Sequence, residues 1–314
     1  MDVTMNRLRW SGVYPAAVLP FREDFSIDEE GYRGLLRWLV GVDGISGVLC
    51  NGHSGEVTSL DREERRRVVE IAAGEMGRLP IIAAIQCEGT LEAIAHCRDV
   101  TKAGASAALI MPPHHWLRFG KEPEDAVRHF STIAESVEID LIVHQYPFTT
   151  KASYSTKELL ALAEIPSVKA VKYGTREMAR YETDLRLLRQ HAPDVAFLNC
   201  IDEYLLPGLA LGGDGVIVGC ACFVPELIVL LVRARERRDL VEAQQIEEKL
   251  FPAVRFIYGM GEPTGVAHQR MKEALVMMGR LSSPVVRPPL KTMSVEERSR
   301  LREELLSAGI ALGQ

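Results

Sequence analysis

The chain has 314 residues, 47 % of them apolar and 25 % charged, with a formal net charge of −6 and a pI near 5.8. That is globular composition, long enough for one large core or two ordinary domains, and its acidic balance argues against nucleic acid or an anionic membrane as the main partner. Residues 1–12 hold no apolar core followed by a small-residue cleavage site, and the longest apolar run, "FVPELIVLLV", falls short of the roughly 20 residues of a spanning helix. Six scattered cysteines (Cys50, Cys87, Cys97, Cys200, Cys220, Cys222) lack zinc-site spacing, so reduced, mostly buried thiols in a cytoplasmic protein are expected.

Along the chain, apolar runs of strand length alternate with helix-like text. They lie at 12–20, 45–51, 80–86, 106–112, 140–146, 167–173, 195–200 and 215–220. After the first run, Ser26-Ile-Asp-Glu29 reads as a capping box, and Tyr32, Leu35, Leu36, Leu39 and Val40 give one apolar helix face. The box pattern returns at Asp61–Glu64 and Ser155–Glu158. Continuous apolar strands between helices imply a parallel sheet covered on both sides, and eight such units predict a closed (β/α)8 TIM barrel over 1–237. Beyond it, "LVEAQQIEEKLFPAVRFIY", "VAHQRMKEALVMMG" and "VEERSRLREELLSAG" predict a three-helix extension over 238–314, packed on the barrel because no polar linker precedes it.

In a barrel of this kind the chemistry lies at the C-terminal ends of the strands. Those ends read Asn51-Gly-His-Ser-Gly-Glu56, Pro112-Pro-His-His-Trp116, His144-Gln-Tyr-Pro147 and Lys172-Tyr-Gly-Thr175. The sixth run carries Lys169 and Lys172, which point to opposite faces; only Lys172 sits at the chemical end. A lysine amine held among apolar walls loses charged-state solvation and becomes a nucleophile for a ketone or aldehyde, giving a Schiff base. The bland alternative is a lysine paired with a carboxylate. Gly52 and Gly55 allow a tight turn whose amides, with the Ser54 hydroxyl, suit a carboxylate, and no phosphate-loop lysine or dinucleotide fingerprint follows.

The order Gly-x-Ser-Gly-Glu, Pro-Pro-x-x, x-x-x-Pro and a strand-six lysine, with "LGGDGVIVG" and "VAHQRMKEAL…PPL", resembles the N-acetylneuraminate lyase / dihydrodipicolinate synthase family over nearly the whole chain. The resemblance implies a class I lyase acting on pyruvate or another 2-oxo acid through Lys172. Gly52, Ser54 and Gly55 would hold the carboxylate, and Ile217, Thr149 and Trp116 are further substrate-side candidates. It implies no metal and no nicotinamide or other cofactor, and an assembly of two tight dimers, with His114 near the dimer interface. The chain departs from the family at informative places. His144 replaces a tyrosine, His53 a threonine or serine, and His114-His115 a tyrosine pair, so a relay of His144, His53 and His115 is expected. An imidazole near 6.5 exchanges protons at neutral pH more readily than a phenol; the alternatives are polar filler and a three-histidine metal site.

Thr149 stands where the synthase branch has a carboxylate-gripping arginine. This favours an aldolase or hydro-lyase on a 2-keto-3-deoxy acid over 4-hydroxy-tetrahydrodipicolinate synthesis, with a non-catalytic binding relative as the reading from another class. In an aldolase His144 would take the C4 hydroxyl proton; in a dehydratase His53 or His115 would protonate the leaving hydroxyl. Trp116, Arg118 and Tyr146 can equally contact a distal substrate group or pack.

Overall fold

Each apolar run shortens to a strand in the computed structural model, which describes residues 10–259 and 265–313. The strands are β1 Gly12–Pro15, β2 Val48–Cys50, β3 Ile81–Ile85, β4 Ala107–Ile110, β5 Asp140–Gln145, β6 Val168–Tyr173, β7 Ala196–Asn199 and β8 Gly215–Val218. All are parallel, in the order β1-β8-β7-β6-β5-β4-β3-β2. The seam between β1 and β2 closes where the chain changes partner. Ala16 N donates to Val218 O at 2.9 Å, and the next amide, Ala17 N, donates to Leu49 O at 3.0 Å. Isolated bridges Val13–Ile45 and Ala16–Leu49 complete the ring.

Around it run α1 Glu29–Val40, α2 Arg62–Glu75, α3 Thr90–Lys102, α4 His114–Phe119, α5 Asp125–Ser136, α6 Thr156–Ala163, α7 Met178–His191, α8 Leu205–Ala210 and α9 Pro225–Glu236. The capping boxes at Asp61 and Ser155 form as expected. The first does not. Asp28, two residues later, caps α1 through Gly31 N at 3.1 Å, while Ser26 bonds Asp24 in the preceding turn. A carboxylate adjacent to the first helical residue outcompetes a hydroxyl farther out.

Inside the ring, Leu49, Ile82, Leu109, Ile142, Leu198 and Ile217 form a dry floor; alternate residues such as Val143, Val171 and Tyr173 face the helices. Strand β6 breaks the alternation once. Leu141 pairs with Val168 but Ile142 pairs with Ala170, so Lys169 is an extra, exposed residue. The bulge sets Ala170 and Lys172 inward.

After α9, the helices α10 Leu240–Tyr258, α11 Val266–Met277 and α12 Val295–Ser307 share a core with β1, β8 and α9 through residues including Ile246, Leu250, Met271 and Leu305. A buried ion pair fixes them to the loop after β2. The Lys272 ammonium bonds the Glu56 carboxylate and donates to Val285 O at 2.8 Å, and Arg287 N donates to the other Glu56 oxygen at 2.9 Å. Phe21 lies between the two cations, its ring centroid 4.2 Å from Lys272 Nζ and 4.5 Å from Arg287 Cζ. Burial lowers the Lys272 pKa to about 8 against the opposing pull of Glu56.

Removing one partner of such a pair strands the other charge. Lys272→Met should therefore cost about 3–5 kcal/mol in chemical denaturation. Adding Glu56→Gln should recover much of that loss, giving a clear coupling energy in the double-mutant cycle.

Candidate active site

The loop after β2 is built to present one short segment. Asn51 and Glu56 take left-handed backbone angles (φ 56° and 54°) at its two ends. Gly55 lies against the barrel backbone, where a Cβ would stand 3.2 Å from Ala17 O. The Gly55 and Glu56 amides turn back to Gly52 O at 3.1 Å and His53 O at 2.8 Å, so they are not available to a ligand. Among the described residues the amides of His53 and Ser54 and the Ser54 hydroxyl have no acceptor. The loop thus offers three donors at adjacent positions, fewer than the expected set of amides but concentrated on Ser54.

Strands β5 and β6 supply the rest. Lys172 is 7 % exposed and pairs in register with His144, which is 5 % exposed. Tyr146 follows on the same face of the chain as His144. Its ring meets the His144 ring edge-on at 4.7 Å and 74°, and its hydroxyl lies 3.1 Å from His53 Nε2. The two imidazoles are 6.0 Å apart. Cys200, just past β7, brings its sulfur to 3.9 Å from His144 Nε2, while His144 Nδ1 is buried without a hydrogen-bond partner.

Burial decides the protonation of this cluster. It pushes His53 down to about 3, with the Lys172 ammonium and then His268 adding to the effect. It also pushes His144 well below 6.5, again helped by Lys172 and His53, and raises the Tyr146 phenol. Both imidazoles are consequently neutral at pH 7, unlike the expected groups poised near 6.5.

The remaining candidates are distributed unevenly. Ile217 is fully buried on β8 beside Tyr14 and belongs to the barrel floor. Thr149 is exposed in the turn after Pro147. His115 is exposed on α4, stacked on Phe119 at 5.0 Å beside a groove of about 360 Å³ lined by Glu88, Thr90, Arg128 and His129. It does not join His53 and His144 within the chain, so the three-histidine relay is not assembled there. Trp116 points away from the cluster and packs edge-on against His129 and Tyr154, because α4 turns its apolar side to α5 and α6. His114 is exposed with Nδ1 3.0 Å from Glu88.

Three groups near the cluster escaped the sequence reading, and a fourth, Tyr146, was read only as a distal contact or a packing residue; its spacing of two from His144 was the signal for placing it here. His268, lowered to about 4 chiefly by burial, comes from α11 and had none. Arg176 donates to Glu203 at 3.0 Å, four residues after Lys172. Asp202 accepts from Cys220 N at 2.7 Å and is raised to about 6 by burial. No three His, Cys, Asp or Glu side chains converge as metal ligands among the described residues.

A closed parallel barrel with a buried lysine at the end of its sixth strand, and a match to a family of such enzymes, defines a class I lyase. The chain belongs to the dihydrodipicolinate synthetase family, which it matches over residues 9–308. It is 33 % identical over 303 residues to the 4-hydroxy-tetrahydrodipicolinate synthase of Methanopyrus kandleri, covering 95 % of this chain and 96 % of that one. Dihydrodipicolinate synthase from Aquifex aeolicus superposes with a TM-score of 0.87 at 27 % identity, covering 97 % of this chain and 100 % of that one. The chloride-inhibited enzyme from Acinetobacter baumannii, complexed with pyruvate, gives 0.86 at 26 % identity over 96 % of this chain and 99 % of that one.

The lowered imidazoles fix the sign of the pH dependence. A histidine whose pKa falls to about 3 stays neutral above it, so neither His53 nor His144 should add an acid limb to kcat/KM between pH 5 and 8. A limb near 6.5 that vanishes in His53→Gln or His144→Ala would show these rings to be far better solvated than their burial implies.

Proposed function

We propose that this protein is a Schiff-base lyase for a 2-oxo acid, carrying the substrate on Lys172. The observation that supports it most is the pairing of a buried Lys172 with His144 at one height of the barrel mouth. The pyruvate complex of the Acinetobacter baumannii relative supports the 2-oxo acid. Ser54, with its own amide and that of His53, holds the carboxylate. The Lys172 amine adds to C2, water leaves, and the iminium becomes the electron sink. In the aldolase direction the C3–C4 bond breaks as neutral His144 takes the C4 hydroxyl proton; the enamine then takes a proton at C3 and is hydrolysed. In a hydro-lyase a C3 proton is removed and the C4 hydroxyl leaves with a proton instead. Both reactions use the same imine, and no metal or nicotinamide enters either.

The far end of the substrate separates this reading from 4-hydroxy-tetrahydrodipicolinate synthesis. Thr149 is exposed and uncharged where an arginine would grip a second carboxylate, whereas the Arg176–Glu203 pair offers a donor and an acceptor together. A balanced pair of this kind complements a hydroxyl, which both gives and takes a hydrogen bond. A hydroxylated 2-keto-3-deoxy acid is therefore favoured.

Assembly from two tight dimers is supported by the exposed apolar side chain of Phe119 (68 %), which packs on the exposed His115 of α4. A structural neighbour at 23 % identity is described as a monomeric variant, so the fold does not require assembly. A cytoplasmic setting is supported by six free cysteines, five of them buried. No helix among the described residues is long and apolar enough to cross a membrane.

Borohydride reduction in the presence of pyruvate, followed by peptide mass spectrometry, should find one modified lysine, Lys172. An adduct on Lys169, or none with any 2-oxo acid, would overturn the reading. His144→Ala should still be trapped but should turn over roughly 10²–10⁴-fold more slowly, the usual contribution of a positioned acid or base.

A further inference from the structure

We infer that Tyr146 is a catalytic residue of this site, donating the proton that expels water as the Lys172 imine forms, with His53 as its proton supply. The inference rests on the Schiff-base reading above and gives a role to a residue that reading leaves unused.

Strand geometry brings Tyr146 to the mouth. Residues two apart on a strand share a face, so Tyr146 stands above His144, and the Ile142–His144–Tyr146 column rises from the floor to the opening. The intervening Gln145 is turned outward and locked there. Its Oε1 accepts from Tyr154 N at 2.8 Å and its Nε2 donates to Tyr154 O at 2.8 Å. That clamp keeps Tyr146 from rotating out of the barrel. Among the described residues its hydroxyl has one side-chain partner, His53 Nε2 at 3.1 Å.

The electrostatics suit a neutral relay. His53 is faced by Tyr146 and His144, by Lys172 from β6 and by His268 from α11. With its ring packed among protein groups and Lys172 and His268 nearby, an imidazolium there is strongly disfavoured, and the raised phenol does not ionise. A proton can still cross, because a neutral imidazole takes one on one nitrogen while giving one from the other. As the carbinolamine collapses, the nitrogen lone pair forms C=N and the C2–O bond breaks. The departing oxygen takes the Tyr146 proton, Tyr146 takes the proton from His53 Nε2, and His53 Nδ1 takes one from solvent at the half-buried rim. Charge appears only on the iminium. Hydrolysis of the product imine runs the same steps backward.

The rate of imine formation reads this directly, by borohydride trapping under single-turnover conditions and by exchange of the pyruvate C2 oxygen with labelled water. Tyr146→Phe, which deletes one oxygen and keeps the ring against His144, should slow both by roughly 10²-fold or more. Trapping should still reach completion on Lys172, and thermal unfolding should be little changed. His53→Gln retains a hydrogen-bonding side chain that cannot exchange tautomers and should slow both by a similar factor. The double variant should be no slower than the worse single one, because the two act as a unit. Exchange in Tyr146→Phe within about three-fold of the parent, or full additivity in the double variant, would overturn the inference while leaving the imine intact. Failure of the parent protein to form any adduct would instead overturn the Schiff-base reading itself.

Discussion

One inserted residue determines which side chains reach the chemistry. Along β5 and β6 every second side chain faces inward, and Val168, at the start of β6, faces outward with Leu141. Strict alternation from there would turn Lys172 outward too. The extra Lys169 shifts the count by one, so that Ala170 and Lys172 face in and Val171 and Tyr173 face the helices. The lysine, its histidine neighbour and the tyrosine above it depend on that local irregularity for their common orientation.

Once turned inward, these groups are governed by desolvation more than by mutual attraction. The barrel floor is apolar, and no carboxylate bonds His53, His144 or Lys172 among the described residues. The paired charges of this region lie beside the cluster, in the Arg176–Glu203 and Glu56–Lys272 pairs. Substituting imidazole for phenol therefore does not by itself bring a group that titrates at neutral pH. Desolvation moves both kinds of side chain away from their ordinary values, the imidazoles down and the phenol up.

The barrel was legible because its signal is repeated. Eight apolar runs, helical spacing after 28 and capping boxes at 61 and 155 all point the same way. The place of Lys172 at the end of β6 was legible because the apolar run around it has the length of one strand. The positions of His115 and Trp116 within the chain were not legible, because they depend on which way the short helix after β4 turns. That helix, α4, swings one side chain to solvent and the other into the outer core. The state of the histidines follows from burial at the barrel mouth, with Lys172 and, at His53, His268 adding to it; nothing local in a sequence encodes neighbours so far apart along the chain.

The Glu56–Lys272 link has a consequence for how the molecule is made. Glu56 holds one end of the loop bearing His53 and Ser54, and its counter-ion and the Arg287 amide belong to the last quarter of the chain. A nascent polypeptide emerging from the ribosome can complete all eight strands while that carboxylate still lacks its partner. The loop bearing His53 and Ser54 is therefore set only after synthesis is nearly finished, so a truncated product can carry Lys172 in place and yet lack the final shape of the loop opposite it.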